Sequence, residues 1–110
     1  MLMRSNNGIY SNFLYCFFKD EAKDISTALL KEKLAACVST VDKVSSMFLW
    51  NGKISKENEL LLIIKTRKDN FDKIEAVIKA LHSYNIPEII ALPVIKGSND
   101  YTGWLEHETE

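Results

Sequence analysis

The sequence contains few cysteines, no excess of either charge and no long hydrophobic run. Lys and Arg number 14 against 15 Asp and Glu, and no basic run is interleaved with aromatic residues, so nucleic acid is not an expected partner. The longest apolar runs, FLYCFF and LLLII, are far shorter than the ~20 residues that a membrane helix requires. The composition therefore argues against both nucleic-acid binding and membrane insertion.

The two cysteines, Cys16 and Cys37, set a further limit. A secreted domain stapled by disulfides usually carries more, so this count favours a reducing, cytoplasmic setting, while a bridge between the two stays open. The sequence has no CxxC, no HExxH and no closely spaced histidine pair. It therefore gives no support for a preformed zinc or copper cage within one chain.

The patterns that are present predict one domain of alternating strands and helices. A length of 110 residues, with 46% hydrophobic and 26% charged residues, suits a single globular domain, which we assign to residues 13–110 after a flexible lead-in at residues 1–12. Apolar periodicity and turn residues locate its elements. They are strands at 13–18, about 38–50, 53–65 and 88–94, and helices from an Asp20 cap to about Lys33, from an Asp69 or Asn70 cap to before Pro87, and at 99–108.

This β-α-β-β-α-β order predicts an α+β, ferredoxin-like sandwich with a short C-terminal helix. Two right-handed crossovers place both long helices on one face of a four-stranded antiparallel sheet, with the first and third strands in the centre. Pro93 fits the fourth strand at an edge, because proline cannot donate to a ladder. A break in alternation near Asp42 and Lys43 predicts a β-bulge in the second strand.

The hairpin between the second and third strands is long for so small a domain. Asn51-Gly52 favours a two-residue turn with positive φ at both positions. Arms of roughly thirteen residues would each reach ~44 Å at ~3.4 Å per residue, whereas a domain of this size is only ~27 Å across. We therefore expect something beyond this chain to receive the hairpin.

The sheet is also predicted to be apolar on both faces. FLYCFF, LLLII and IIALPV are apolar at nearly every position, whereas a strand with one face in water alternates apolar and polar residues. A monomer would then expose an apolar patch larger than monomers usually show. We predict a homo-oligomer with sheet faces buried against one another; in the alternative, the C-terminal helix folds over the free face.

One family carries a similar set of stretches in the same order. They are KLAACVS (33–39), WNGKI (50–54), LLIIKTR (61–67), IPEIIALPV (86–94) and the spaced Tyr101 and Trp104. From residue 13 to residue 108 the chain resembles the CutA, or divalent-cation tolerance, proteins. The resemblance implies a homotrimer of ferredoxin-like protomers, similar in architecture to the PII signalling proteins. It also implies a non-enzymatic role in the response to divalent metal ions, with weak binding of copper or another divalent cation and no obligatory cofactor.

Cys37 and His82 are the candidate metal ligands. Copper accepts a thiolate and an imidazole as ligands. In the competing interpretation, Cys37 is a small buried hydrophobe in a strand, and His82 is favoured by the negative end of a helix dipole. Glu57, Glu59 and Glu88 are candidates for a weak oxygen-ligand site, although such carboxylates are more often solvated or salt-bridged.

The resemblance also assigns residues to subunit contacts. It implies that Lys65, Tyr84, Glu88 and Trp50 line a cleft between subunits, and that Trp50, Tyr101 and Trp104 are trimer contacts; large amphipathic side chains of this kind are enriched at interfaces.

The chain departs from the family pattern in two places. The residues His82-Ser83-Tyr84-Asn85 stand where His-Pro-Tyr-Glu is common, and Ser39 stands where Asn is usual. Any metal or anion role of the missing carboxylate is therefore in doubt here.

Two other classes of function compete with this interpretation. A PII-like sensor or scaffold would bind a small anionic metabolite or a protein partner in the clefts, with Lys65 contacting the anion. An enzyme has less support, because the loop FFKDEAKD after the first strand lacks the glycine and arginine of an acylphosphatase and the CxxC of a copper chaperone. No Ser-His-Asp or Cys-His nucleophile arrangement is legible either. We therefore predict a protein that is not an enzyme.

Overall fold

A computed structural model describes residues 8–109 of the chain. Its elements in chain order are β1 (Ile9–Cys16), α1 (Lys19–Lys31), β2 (Cys37–Trp50), β3 (Lys53–Arg67), a 3-10 turn (Lys68–Asn70), α2 (Phe71–Leu81), β4 (Ile89–Pro93) and α3 (Asn99–Glu108). The strands form one antiparallel sheet in the order β2-β3-β1-β4, which confirms the predicted ferredoxin-like α+β fold. Within this range, no helix is long and apolar enough to cross a membrane.

β1 begins earlier and ends earlier than predicted. It starts at Ile9 instead of Phe13, because the backbone of residues 9–12 pairs with β3 from Arg67 back to Ile64. The prediction followed the apolar run and missed that polar residues can extend a ladder. The flexible lead-in is therefore wrong for residues 9–12, while residues 1–7 lie outside the described range.

The helix starts use other contacts than the predicted caps. α1 has no side-chain cap, and Asp20 lies in its first turn, where a negative charge still favours the helix dipole. Asn70 precedes α2 but does not cap it with its side chain. Its amide Nδ2 instead donates to Leu34 O at 3.1 Å and to Thr66 Oγ1 at 3.3 Å. Asn70 thus links α2 to β3 and to the segment before β2.

One face of the sheet packs against α1 and α2 and forms the core. Leu14 of β1 and both Leu62 and Ile64 of β3 are fully buried there. The helices add the apolar stripes predicted from their periodicity, since their buried members include Ile25 and Leu29 of α1 and Ile74 and Ile78 of α2.

The opposite face of the sheet, here called the outer face, is covered only at one end. By strand alternation it carries Phe13, Leu61, Ile63, Lys65, Arg67, Ile90 and Leu92. The Arg67 guanidinium donates to Glu106 O at 2.6 Å and to Thr109 O at 3.1 Å, which holds the end of α3 against β3. Ile90 and Leu92 nevertheless remain about half exposed, at 47% and 51%. The C-terminal helix therefore covers one end of this face and leaves the rest open.

The turn and the bulge of the long hairpin follow the sequence signals. Asn51 and Gly52 have φ values of 51° and 77°, the positive values that a mirror-image turn requires. The register between β2 and β3 shifts between Val41 and Val44, at the predicted bulge.

The hairpin extends well beyond the body of the domain. The molecule measures 53 × 26 × 22 Å, so its long dimension is about twice each of the others. Near the tip, Leu49 and Ile54 pair across the strands and are each 72% exposed. Nothing within residues 8–109 covers these side chains, as expected for a hairpin that meets another molecule.

Candidate functional site

Three side chains with metal-ligating atoms meet at one end of the core. Cys16 is the last residue of β1, Glu21 lies in the first turn of α1, and His82 directly follows α2. One ligand atom from each lies within 4.8 Å of the others. Cys16 and His82 are buried and Glu21 is partly buried, so a sulfur, a nitrogen and an oxygen converge where water has little access.

Main-chain groups fix the orientation of the His82 ring. Nδ1 accepts from the Tyr84 amide at 3.0 Å, and Nε2 lies 2.7 Å from Tyr15 O. Because Nδ1 accepts from an N–H, the ring proton sits on Nε2 and is donated to the Tyr15 carbonyl. The lone pair of Nδ1 lies on the side of Glu21, whose Oε2 is 3.6 Å away.

Glu21 is held in place by a residue that departs from the family pattern. Ser83 Oγ donates to Glu21 Oε2 at 3.1 Å, a hydrogen bond that proline at this position could not form. The replacement of proline by serine therefore adds a contact that orients the carboxylate.

The Cys16 thiol is protonated at neutral pH. Burial, followed by the nearby carboxylates of Glu21 and Glu59, raises the pKa of Cys16 to about 12, because each disfavours the thiolate. A cation at this cluster would have to displace the thiol proton.

A groove of about 740 Å³ lies on the outer face beside this cluster, at the base of the hairpin. Its lining residues include Tyr15, Phe48, Trp50, Glu57, Glu59, Tyr84 and Glu88. Tyr84 OH donates to Glu59 Oε2 at 2.7 Å. Burial, and then the Glu59 carboxylate, raise the pKa of Tyr84 above its ordinary value, so the phenol stays a hydrogen-bond donor.

The structure brings together some of the predicted site residues and separates others. Of the four predicted cleft residues, Trp50, Tyr84 and Glu88 line the one groove, while Lys65 does not. Cys37 pairs with Lys65 on the outer face, with its Sγ 3.8 Å from Ser39 Oγ. His82 packs on the core side, so one chain does not bring Cys37 and His82 into a common site.

Sequence reasoning missed Cys16 and Glu21 as partners of His82. The alternation of β1 was the available signal, because Cys16 is in phase with Leu14 and therefore faces the helices. Sequence spacing gave no sign that the start of α1 and the end of α2 meet there.

The predicted trimer-contact residues lie in two places. Trp50 is near the hairpin tip, and Tyr101 and Trp104 pack together on α3 with ring centroids 5.5 Å apart. All three are partly exposed, and their role as contacts stays a prediction.

Comparison with known proteins identifies the family. The family model described as "CutA1 divalent ion tolerance protein" matches residues 13–108. The chain belongs to the CutA1 family. The matched range runs from within β1 to the end of α3, so the cluster, the groove and the hairpin all lie inside the CutA1 domain.

Individual CutA1-family relatives agree with this assignment. The "Divalent-cation tolerance protein CutA" of Thermus thermophilus is 42% identical over 91 residues, which cover 83% of this chain and 88% of the relative. The chloroplastic CutA protein of Arabidopsis thaliana is 40% identical over 91 residues, which cover 83% of this chain but 50% of the relative. The chain thus spans nearly all of the bacterial relative and half of the plant one.

Solved CutA structures share the whole fold. The structure of Cut A1 from T. thermophilus has a TM-score of 0.90 at 37% identity and covers 93% of this chain and 99% of its own. The structure titled as the periplasmic divalent cation tolerance protein CutA of Archaeoglobus fulgidus has a TM-score of 0.89 at 34% identity, with coverage of 93% and 99%.

Proposed function

We propose that this CutA1-family chain takes part in the response to divalent metal ions and binds a cation through Cys16, Glu21 and His82. The observation that carries the proposal is the convergence of their ligand atoms within 4.8 Å. A thiolate, an imidazole and a carboxylate together suit copper or zinc better than magnesium or calcium, which prefer oxygen alone. The proposal retains His82 from the sequence analysis and takes Cys16 in place of Cys37.

The same geometry makes this binding weak at neutral pH. The metal must displace the thiol proton of Cys16, whose pKa is about 12, and the Tyr84 amide must release His82 Nδ1. Both steps oppose binding, and the first becomes easier as the pH rises. Such a site would respond to a raised metal concentration and would not hold a metal permanently.

Calorimetry with Zn²⁺ tests the ligand set, because zinc does not oxidise thiols; Cu²⁺ is then titrated in the same way. We expect Cys16→Ser and His82→Gln each to weaken binding by about tenfold or more. Cys37→Ala is the matched control and should bind like the wild type. Equal binding by all four proteins would reject the cluster, and a loss confined to Cys37→Ala would move the site to the outer face.

The protein is proposed to act by binding and not as an enzyme. Both nitrogens of His82 are engaged by main-chain groups, so the ring is not free to take a proton from a substrate. The names of the relatives describe divalent-cation tolerance.

A homotrimer remains the proposed assembly, with Trp50, Tyr101 and Trp104 at its contacts. Its support is the exposed apolar hairpin tip and the half-exposed Ile90 and Leu92 on the outer face. Size-exclusion chromatography with light scattering at low micromolar concentration should give three times the chain mass, and a stable monomer would reject this assembly.

The proposed compartment is the cytoplasm. Cys16 and Cys37 are both free thiols, which suits a reducing environment. Fractionation of cells that produce the untagged chain checks this, and recovery from an oxidising compartment would contradict it.

A further inference from the structure

The groove at the base of the hairpin has a one-sided charge. Three carboxylates, Glu57, Glu59 and Glu88, line it, and no Lys, Arg or His is among its described lining residues. The chain as a whole carries a net charge of only −1, so this concentration of negative charge is local. A cleft lined by one sign of charge attracts ligands of the opposite sign.

Glu59 distinguishes this groove from an ordinary acidic surface. The residue is only 8% exposed, yet it forms no ion pair with any residue in the range 8–109. Its hydrogen-bond donor is the neutral Tyr84 hydroxyl. Buried carboxylates are normally paired with a cation, so a carboxylate that faces a groove without one indicates that the cation comes from outside.

Aromatic rings form the other walls of the groove. Tyr15, Phe48, Trp50 and Tyr84 all line it. The faces of such rings attract organic cations, and sites that bind quaternary ammonium groups combine aromatic rings in this way. A hydrated Mg²⁺ or Ca²⁺ ion would use the carboxylates but not the rings.

We propose that this groove binds a small organic cation through an ammonium head group. The aromatic rings would surround the alkyl substituents of the head group, and the buried Glu59 carboxylate would supply the opposite charge. This site is separate from the Cys16 cluster, which lies on the core side of the sheet. Its charge also favours a cation over the anionic metabolite that a PII-like sensor would bind.

Tryptophan fluorescence in the presence of EDTA tests the groove without any contribution from bound metal. Trp104→Phe leaves Trp50 as the only tryptophan, because the chain has two, and this single-tryptophan protein is titrated with choline. Choline should change the Trp50 emission in a saturable way. Its neutral isostere 3,3-dimethyl-1-butanol should bind about tenfold more weakly or not at all.

Charge variants of the single-tryptophan protein assign the carboxylate. Glu59→Gln keeps an acceptor for Tyr84 and should raise the dissociation constant for choline about tenfold. Glu75→Gln removes the same charge from an ion pair with Lys79 on α2 and should leave binding unchanged. If Glu59→Gln fails to fold, the exposed Glu88→Gln takes its place, with a smaller loss expected. Equal binding of the neutral isostere, no saturable response to choline, or equal effects of the groove variant and Glu75→Gln would each overturn the proposal.

Discussion

The core face and the outer face of the sheet are made by the same strands, but they differ in what they leave uncovered. On β3, Leu62 and Ile64 are completely buried beneath α1 and α2, whereas Ile90 and Leu92 of β4 on the outer face are about half exposed. The core face therefore contributes most of the stability of a single chain. The outer face holds apolar surface and an acidic groove that are available to other molecules.

Each face also contains one residue that does not fit its neighbours. On the core face, Asn12 is fully buried, and neither its amide nitrogen nor its amide oxygen has a hydrogen-bond partner within the described range. On the outer face, the carboxylate of Glu59 is nearly buried without an ion pair in that range. The first residue lowers stability in a closed core, while the second lies in an open groove where a ligand can compensate for it.

Two alanine substitutions at the two ends of β3 should separate the faces most clearly. Leu62→Ala removes a buried core side chain and should lower the free energy of unfolding by about 2–5 kcal/mol. Ile54→Ala removes a side chain near the hairpin tip that is 72% exposed and should change a single chain by no more than about 0.5 kcal/mol.

Urea unfolding at two protein concentrations measures this difference. The Leu62→Ala deficit should be present at both concentrations, because the contact lies within one chain. The effect of Ile54→Ala should appear only through assembly, as a change in the concentration dependence of the midpoint. Equal, concentration-independent losses for the two variants would show that the hairpin contributes to the single chain as the core does.

Asn12→Leu should reduce the mismatch on the core face. Leucine is close to asparagine in size and leaves no polar atom without a partner, so we expect a gain of about 1–3 kcal/mol in the free energy of unfolding. Thermal and urea unfolding would measure it. Asn12→Asp is the matched control and should destabilise, because it places a carboxylate in the same apolar surroundings. Loss of stability in Asn12→Leu would mean that the amide makes a contact that leucine cannot replace.

The sequence predicted the topology well because local signals specify it. The Asn51-Gly52 dipeptide determined the turn, and the break in alternation at Asp42-Lys43 located the bulge, since both act through a few neighbouring residues. The start of β1 was missed because the polar Ser11 and Asn12 join the strand through backbone pairing with β3. That pairing depends on residues far along the chain.

The candidate site was only half predictable for the same reason. His82 and Tyr84 stood out beside each other in the sequence, and resemblance to the family grouped Trp50 and Glu88 with them. The partners Cys16 and Glu21 lie more than sixty residues before His82 in the chain, and they meet it only once α1 and α2 have packed on the sheet. The phase of β1 places Cys16 on the core side, but nothing local indicates which residues meet it there.

The pH dependence of stability provides the finest comparison of the two faces, because each has a cysteine. The ordinary pKa of a thiol is 9.0, and burial raises that of Cys16 to about 12. Between these values the unfolded chain loses the thiol proton while the folded chain retains it. The contribution of Cys16 is therefore fully present below about pH 9, and the free energy of unfolding should fall as the pH rises from 9 towards 12.

Cys16→Ala should reduce this fall, measured as the difference in urea midpoint between pH 8.5 and pH 10.5. Cys37→Ala removes the thiol of the outer face and is the matched control, expected to retain the wild-type slope. Tyr84 also has a raised pKa, above its ordinary value of 10.0, so Tyr84→Phe should remove a separate part of the fall at the upper end of the range. If Cys16→Ala and the wild type gave parallel curves, the thiolate would be tolerated in the folded chain, and the core face would be more accessible to charge than its burial indicates. A reduced slope in Cys16→Ala alone would show that the fold opposes the thiolate which a bound cation requires, and so would account for weak binding at neutral pH.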